Sequence, residues 1–301
     1  MVSSRPVRPV VGILWMLGAG LCFVVVTALV KWLGPGIPAA QSAFIRYMLG
    51  LAFLLPLLRS IRATPMNRRL WTMFGVRGVL HGIGVMLWFF AMTRISIAEV
   101  TALNYLAPIY VTIGAALFLG EGLAFRRISA VVVALIGAII ILRPGVQEVG
   151  QGHLAMIVAG LVFGIAYLLG KITTDESSPE MVLAQLSLWV TLTLAPFALA
   201  VWVPVPWSTV STLFVVAFVA TSGHYMMSLA FAAAPVTATQ PVTYLQLVWA
   251  TALGVLVFAE PIDIWVLVGG GLILGAVTFI TWREAVLKRR SITPPPPAMR
   301  L

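Results

Sequence analysis

The chain has 301 residues, 61% of them hydrophobic and only 9% charged. A soluble domain carries about 25% charged residues, so this chain cannot cover its surface in water and reads as an integral membrane protein. Its net charge of +10 would suit nucleic acid, but the basic residues sit in short loops between apolar runs, a pattern that belongs to membrane topology and implies no nucleic-acid partner.

A span needs about 20 mainly apolar residues to cross hydrocarbon about 30 Å thick. Reading between polar and Pro/Gly breaks predicts ten: about 11–32, 39–58, 71–93, 97–119, 125–142, 152–171, 181–202, 208–230, 236–258 and 263–282. The fold class is therefore an all-α membrane protein. The first span follows Arg5 and Arg8, as a signal peptide would, but its apolar run is too long and no small-residue cleavage site follows. Residues 1–10 form a short N-terminal segment. Residues 283–301, with the run SITPPPPAMRL, read as a tail without helix. The lone Cys22 excludes a disulfide framework.

Counting Lys and Arg by side assigns orientation. The N-terminus, the even-to-odd loops and the C-terminus hold fourteen: Arg5, Arg8, Arg59, Arg62, Arg68, Arg69, Arg126, Arg127, Lys171, Arg283, Lys288, Arg289, Arg290 and Arg300. The other side holds Lys31, Arg94 and Arg143. The positive-inside rule places both termini in the cytoplasm.

The chain also repeats itself. Gly12, Leu14, Met16, Ala19, Gly20, Leu21, Phe23, Leu29 and Lys31 recur as Gly152, Leu154, Met156, Ala159, Gly160, Leu161, Phe163, Leu169 and Lys171. Further on, Tyr105, Leu106, Thr112, Leu117 and Glu121 recur as Tyr244, Leu245, Thr251, Leu256 and Glu260. Two units follow, 11–142 and 152–282, of five spans each. Five is odd, so the second unit enters the membrane upside down. Inverted repeats are an architecture of alternating-access transporters, which bind substrate near the midplane between the halves.

Polar groups inside spans mark the candidate site, because lipid cannot satisfy them. Thr101, Asn104, Tyr105 and Thr112 share one helix face. Gln240, Thr243, Tyr244 and Thr251 take the same offsets, with Gln246 at the flank, and Thr221, His224, Tyr225 and Ser228 form a third stripe. Single Ser or Thr hydroxyls in such stripes commonly join helices. The paired tyrosines bring rings that can stack on a ligand. His81 lies mid-span with Trp88 seven residues on, and an ionisable group at that depth is a functional candidate. Arg46 lies within span 2, where it can snorkel, fix a loop or meet a substrate carboxylate. Arg77 lies near the cytoplasmic entrance of span 3 and is expected to snorkel. Glu121 and Glu260, ending spans 4 and 9 against the helix dipole, are expected to pair with a neighbour or to cap the following helix. The expected substrate-binding set is thus Tyr105, Tyr244, Asn104, Thr243, Gln246, His81, Trp88, Tyr225 and His224.

Ten spans in two five-helix halves, an arginine early in span 2 (FIRYMLG), and LFLGE and LVFAE closing spans 4 and 9 resemble the EamA branch of the drug/metabolite transporter superfamily. The resemblance implies a basket-like bundle in a bacterial inner membrane. Spans 3, 4, 8 and 9 would line a central cavity beside spans 1 and 6, with spans 5 and 10 outside. Within that branch the chain is similar to bacterial aromatic amino-acid exporters of the YddG type.

The residues narrow the substrate further. All nine acidic residues lie in loops or at span ends, so a lipophilic cation finds no membrane carboxylate. Only Arg46 and Arg77 are available for a sugar phosphate, which argues against that cargo. Small neutral or zwitterionic metabolites fit, aromatic or hydrophobic amino acids among them. No nucleotide-binding domain, metal cluster or cofactor fingerprint is present, so neither cofactor nor metal is expected. Facilitated diffusion is the simplest drive, with proton exchange next. An H-E-x-x-H motif or paired intramembrane aspartates would mark a membrane protease, and neither occurs. A His-dependent enzyme using His81 or His153 lacks a visible second catalytic group. A channel lacks a charged or carbonyl-ring signature. The expected partners are a small molecule and the lipid bilayer, and nothing in the sequence specifies an oligomeric state.

Overall fold

The structure, a computed structural model, describes residues 8–57, 66–110, 113, 125–146, 148–234, 239, 242–243 and 245–292. Among these residues the regular elements are all helical. Ten helices run in order: α1 (Pro9–Leu33), α2 (Ala39–Ala52), α3 (Arg68–Met92), α4 (Ile97–Asn104), α5 (Phe125–Leu142), α6 (Gln151–Glu176), α7 (Pro179–Ala200), α8 (Trp207–Ala233), α9 (Leu245–Phe258) and α10 (Ile264–Ile292). Five of them, α1, α3, α6, α7 and α8, contain stretches long and apolar enough to cross a bilayer.

Local chemistry sets the ends. The Asn67 side chain accepts from Leu70 N at 2.8 Å to start α3. Ser96 and Glu99 form a reciprocal capping box at the start of α4. Ser178 caps α7, with Pro179 at its first position. Gly34, at φ +67°, ends α1 in a conformation that costs glycine no Cβ clash.

Three boundaries differ from the sequence reading. The α-helical part of span 2 stops at Ala52, and Leu55–Leu57, which contains Pro56, is a short 3-10 turn. Span 4 leaves the α-helix at Tyr105 and Leu106 and is helical again over 107–110; Pro108, four residues after Asn104, has no N–H to donate to the Asn104 carbonyl. Helix α10 continues through Ile292, ten residues beyond the predicted end. Residues 283–292 (REAVLKRRSI) contain no proline or glycine to break it.

The packing follows the repeat. Helix α1 lies on α8, and α6 lies on α3. Helix α2 packs on α7, α4 on α9 and α5 on α10, while α3 meets α7 as α8 meets α2. Exchanging every helix of one half for its counterpart in the other leaves this pattern unchanged, as a pseudo-two-fold axis requires. Small residues allow the close approaches. A Cβ on Gly137 of α5 would stand 2.6 Å from the carbonyl oxygen of Gly269 on α10. The main core joins residues of both halves, among them Val26, Tyr47, Phe89, Leu103, Phe163, Leu194 and Ile273.

Ionic contacts tie the halves together at the end where α1 finishes. Lys31 Nζ lies 2.6 Å from Glu260 Oε1 and donates to Ile95 O at 2.8 Å. Glu260 Oε2 accepts from Ile97 N at 3.1 Å. Glu260 therefore pairs with a neighbour, as expected, but it caps α4 rather than the helix that follows it. Glu121 lies outside the described residues. At the same end Arg143 pairs with Asp263, and His153 Nε2 lies 3.2 Å from Glu99 Oε1.

Candidate functional site

The repeated Phe23 and Phe163 lead to the centre of the bundle. Phe163 on α6 packs against His81 on α3, with ring centroids 5.1 Å apart. Phe23 on α1 packs against His224 on α8 at 5.0 Å. The two histidines meet edge to face at 5.4 Å. This four-ring arrangement repeats the symmetry of the helices, so His81 and His224 sit together where the halves meet. Tyr167, one turn beyond Phe163, stacks on it at 5.7 Å with the rings 13° from parallel.

Two arginines complete the cluster. Arg46 and Arg77 are each only 4% exposed. The expectation that Arg77 snorkels is therefore corrected: Gly170 on α6 leaves room for the guanidinium to lie inside the protein, its Nε 3.1 Å from where a Cβ of residue 170 would be. An arginine at the centre of a bilayer costs at least about 2.5 kcal/mol. Enclosure by protein and aromatic contact offset part of that cost. Arg46 Cζ lies 3.7 Å from the centroid of the Tyr47 ring, a cation–π contact.

The cluster is rich in unpartnered polar atoms. Among the described residues Arg46 Nε, Arg77 Nε and Nη1, the Tyr47 hydroxyl, both ring nitrogens of His81 and His224 Nδ1 are buried without a hydrogen-bond partner, and each neutral imidazole has one nitrogen that donates and one that accepts. Asn104 contributes the matching acceptor, its buried Oδ1 also unpartnered. Buried polar atoms are nearly always satisfied, so such a concentration in one place makes this cluster the candidate site. Among the described residues neither arginine pairs with a carboxylate.

Of the residues expected to bind substrate, His81, His224 and Asn104 lie in or beside this cluster. Tyr105 is buried in the main core, and its hydroxyl donates to Thr243 O at 2.8 Å across the α4–α9 contact. Trp88 is half-buried against Phe89. The Tyr225 hydroxyl donates to Glu180 Oε1 at 3.2 Å. The Gln246 amide lies over Gly20 on α1. Tyr244, Gln240 and Thr112 lie outside the described residues. Several stripe hydroxyls turn back on their own helices: Thr101 donates to Ile97 O, Thr251 to Leu247 O and Ser228 to His224 O. A hydroxyl one turn after a carbonyl satisfies itself there and need not join helices. Sequence reasoning missed Tyr47, Tyr167, Phe23 and Phe163 as site residues, although the last two belong to the repeated motif.

Two cavities lie elsewhere. One of about 590 Å³ runs between α3 and α7 beside Trp71, Val79 and Trp189. The other, about 240 Å³, opens beside Leu33, Pro35, Ser42 and Phe90 near the end of α1. Neither is lined by the central cluster, which this conformation encloses.

The comparisons with known proteins agree with this architecture. The EamA-like transporter family matches twice, over residues 10–143 and 150–282, one match for each half. A riboflavin transporter of Rhizobium johnstonii is 31% identical over 296 residues, covering 96% of this chain and 97% of its own. An S-adenosylmethionine uptake transporter of Rickettsia prowazekii is 23% identical over 273 residues, covering 91% and 93%. A crystal structure superposes with a TM-score of 0.61 at 16% identity, covering 94% of this chain and 99% of its own, a likeness of fold alone. The doubled family match and the exchange-symmetric packing together show that this chain is a membrane transporter of the EamA-like family, within the drug/metabolite transporter superfamily.

Proposed function

We propose that the protein carries riboflavin, or a similarly flat and acceptor-rich aromatic metabolite, by alternating access of its two halves around the central cluster. The observation that carries this reading is the coincidence of stacked aromatic rings with buried, unspent donors on Arg46, Arg77, Tyr47 and the histidines. Riboflavin presents a flat ring system to stack and ring carbonyls to accept, and a relative of nearly equal length bears that name. S-adenosylmethionine fits less well, because its sulfonium cation would meet two guanidinium groups. Export of an aromatic amino acid competes for the same site. Its carboxylate suits the arginines, but among the described residues its ammonium group finds no carboxylate beside them. The substrate moves down its own gradient, in a bacterial inner membrane with both termini in the cytoplasm.

Counterflow in proteoliposomes tests the reading. Labelled riboflavin is expected to exchange, and unlabelled riboflavin to compete better than tryptophan, tyrosine or S-adenosylmethionine. Losing an aromatic contact removes about 0.5–1.5 kcal/mol, so Phe163→Ala and Tyr167→Ala should raise the half-saturating concentration by roughly two- to tenfold. Exchange of tryptophan with no effect of riboflavin would transfer the assignment to aromatic amino acids.

A further inference from the structure

A neutral heterocycle satisfies donors but leaves charge. A guanidinium group carries a full positive charge in proteins, and Arg46 and Arg77 bring two of them. Even with both histidines neutral, the centre of the bundle therefore holds two full positive charges. The charged or titratable groups that act on His81 and His224 are these two arginines and, for His224, His81 itself. Those acting on Arg77 are the phenols Tyr47 and Tyr167. Among the described residues five carboxylates are engaged elsewhere, Glu99 with His153, Glu176 with Arg69, Glu260 with Lys31, Asp263 with Arg143 and Glu180 with Tyr225, and Glu148 is exposed in a loop. Buried charges in proteins are paired.

We propose that Arg46 and Arg77 form a binding site for one monovalent anion at the meeting point of the two halves. The site is built from side chains that are more than nine-tenths buried and have donors to spare. Among the described residues Arg46 Nε and Arg77 Nε and Nη1 have no hydrogen-bond partner. Tyr47 lies against the Arg46 guanidinium, and Arg77 is near enough to act electrostatically on Tyr47 and, with Arg46, on His81. Arg77, on α3, lies against Gly170 of α6, and Arg46 sits on α2, so an anion between them would join two helices of the first half where α3 meets the second. The negative charge can belong to an inorganic ion such as chloride or to the acidic group of an organic molecule. The chemistry at the guanidinium groups is the same in both cases. The proposal does not depend on which metabolite is carried.

The test needs no transport. Purified full-length protein in detergent is heated in sodium chloride, sodium phenylacetate or sodium gluconate at equal ionic strength. Saturable stabilisation by chloride relative to gluconate supports an inorganic ion. Saturable stabilisation by phenylacetate alone supports an organic acid as the source. In either case Arg46→Gln and Arg77→Gln should raise the half-saturating concentration by at least about tenfold, whereas Arg69→Gln, at an exposed pair with Glu176, should leave it unchanged. Should the glutamine variants fail to fold, equilibrium dialysis of radiolabelled chloride against wild-type protein replaces them. One ion per chain, displaced by phenylacetate and not by gluconate, is the supporting result. Equal melting curves in all three salts, or stabilisation that survives both glutamine substitutions, would overturn the proposal, and so would dialysis that finds no bound chloride and no effect of phenylacetate on melting. Failure here would leave the counterflow result standing, and failure of riboflavin counterflow would leave this one standing.

Discussion

Glu260 does two jobs with one carboxylate, and the structure separates them. It pairs with Lys31 at 2.6 Å, and it accepts from Ile97 N at 3.1 Å at the start of α4. The side chains are 20% and 13% exposed for Lys31 and Glu260, so the pair is neither solvated nor fully enclosed. Breaking a buried pair costs about 3–5 kcal/mol, and an exposed one about 0–1 kcal/mol. Lys31 keeps a second acceptor in Ile95 O, which lowers the cost of losing the carboxylate. Glu260→Gln retains an oxygen for Ile97 and loses only the charge, so about 1–2 kcal/mol is expected. Glu260→Ala also leaves the Ile97 N–H without its acceptor and should cost about 3 kcal/mol. The assay is reversible unfolding in mixed micelles, read by helicity, with a double-mutant cycle of Glu260→Gln and Lys31→Met. A coupling energy of about 1 kcal/mol is expected. A coupling indistinguishable from zero would refute the ion-pair reasoning. Equal effects of the alanine and glutamine variants would refute the capping role.

Other consequences can be checked as directly. A Cβ at Gly84 would stand 2.6 Å from Phe163 Cε1, so Gly84→Ala should push that ring into Tyr167 and His81, reduce transport and cost about 1–3 kcal/mol. Gly78 lies against the backbone and side chain of Trp189 on α7, and Gly78→Val should lower the yield of folded protein far more than Gly75→Val, where Trp189 leaves 3.5 Å. Tyr105→Phe removes the hydroxyl's bond to Thr243 O and should cost about 1 kcal/mol in unfolding assays while counterflow continues. In a Cys22→Ala background, a membrane-impermeant thiol reagent added outside cells should label cysteine placed at Gln147 and spare cysteine at Asn67; the reverse would invert the proposed orientation.

The sequence carried the architecture because two signals are collective. Ten apolar runs and a motif repeated at an offset of 140, from Gly12/Gly152 to Lys31/Lys171, survive errors at any single residue. His81 was legible too, since a histidine in mid-span has few explanations. Arg77 was misread because depth along a helix says nothing about which face a long side chain follows. The reason it stays inside, Gly170, lies 93 positions away on another helix. Tyr105 was picked out by its polar stripe, but its hydroxyl partner is a backbone carbonyl, which no pattern of side chains displays. Tyr47 and Tyr167 carried no special mark in a chain where one residue in ten is aromatic, and Phe23 and Phe163 were marked only as members of the repeat.

The crosswise attachment of α1 to α8 and of α6 to α3 bears on how such a protein is made and where it came from. While the first five spans leave the ribosome, α1 has yet to meet its principal partner, and the face of α3 that will receive α6 is bare. The nascent half must wait in the bilayer with both surfaces against lipid. Expressed alone, it should be short-lived. Expressed beside the separate second half, it should be rescued. Before the gene doubled, one half-length chain could have covered those surfaces only by inserting in both directions and embracing an upside-down copy of itself. The duplication then turned a chance meeting of two molecules into a certainty within one.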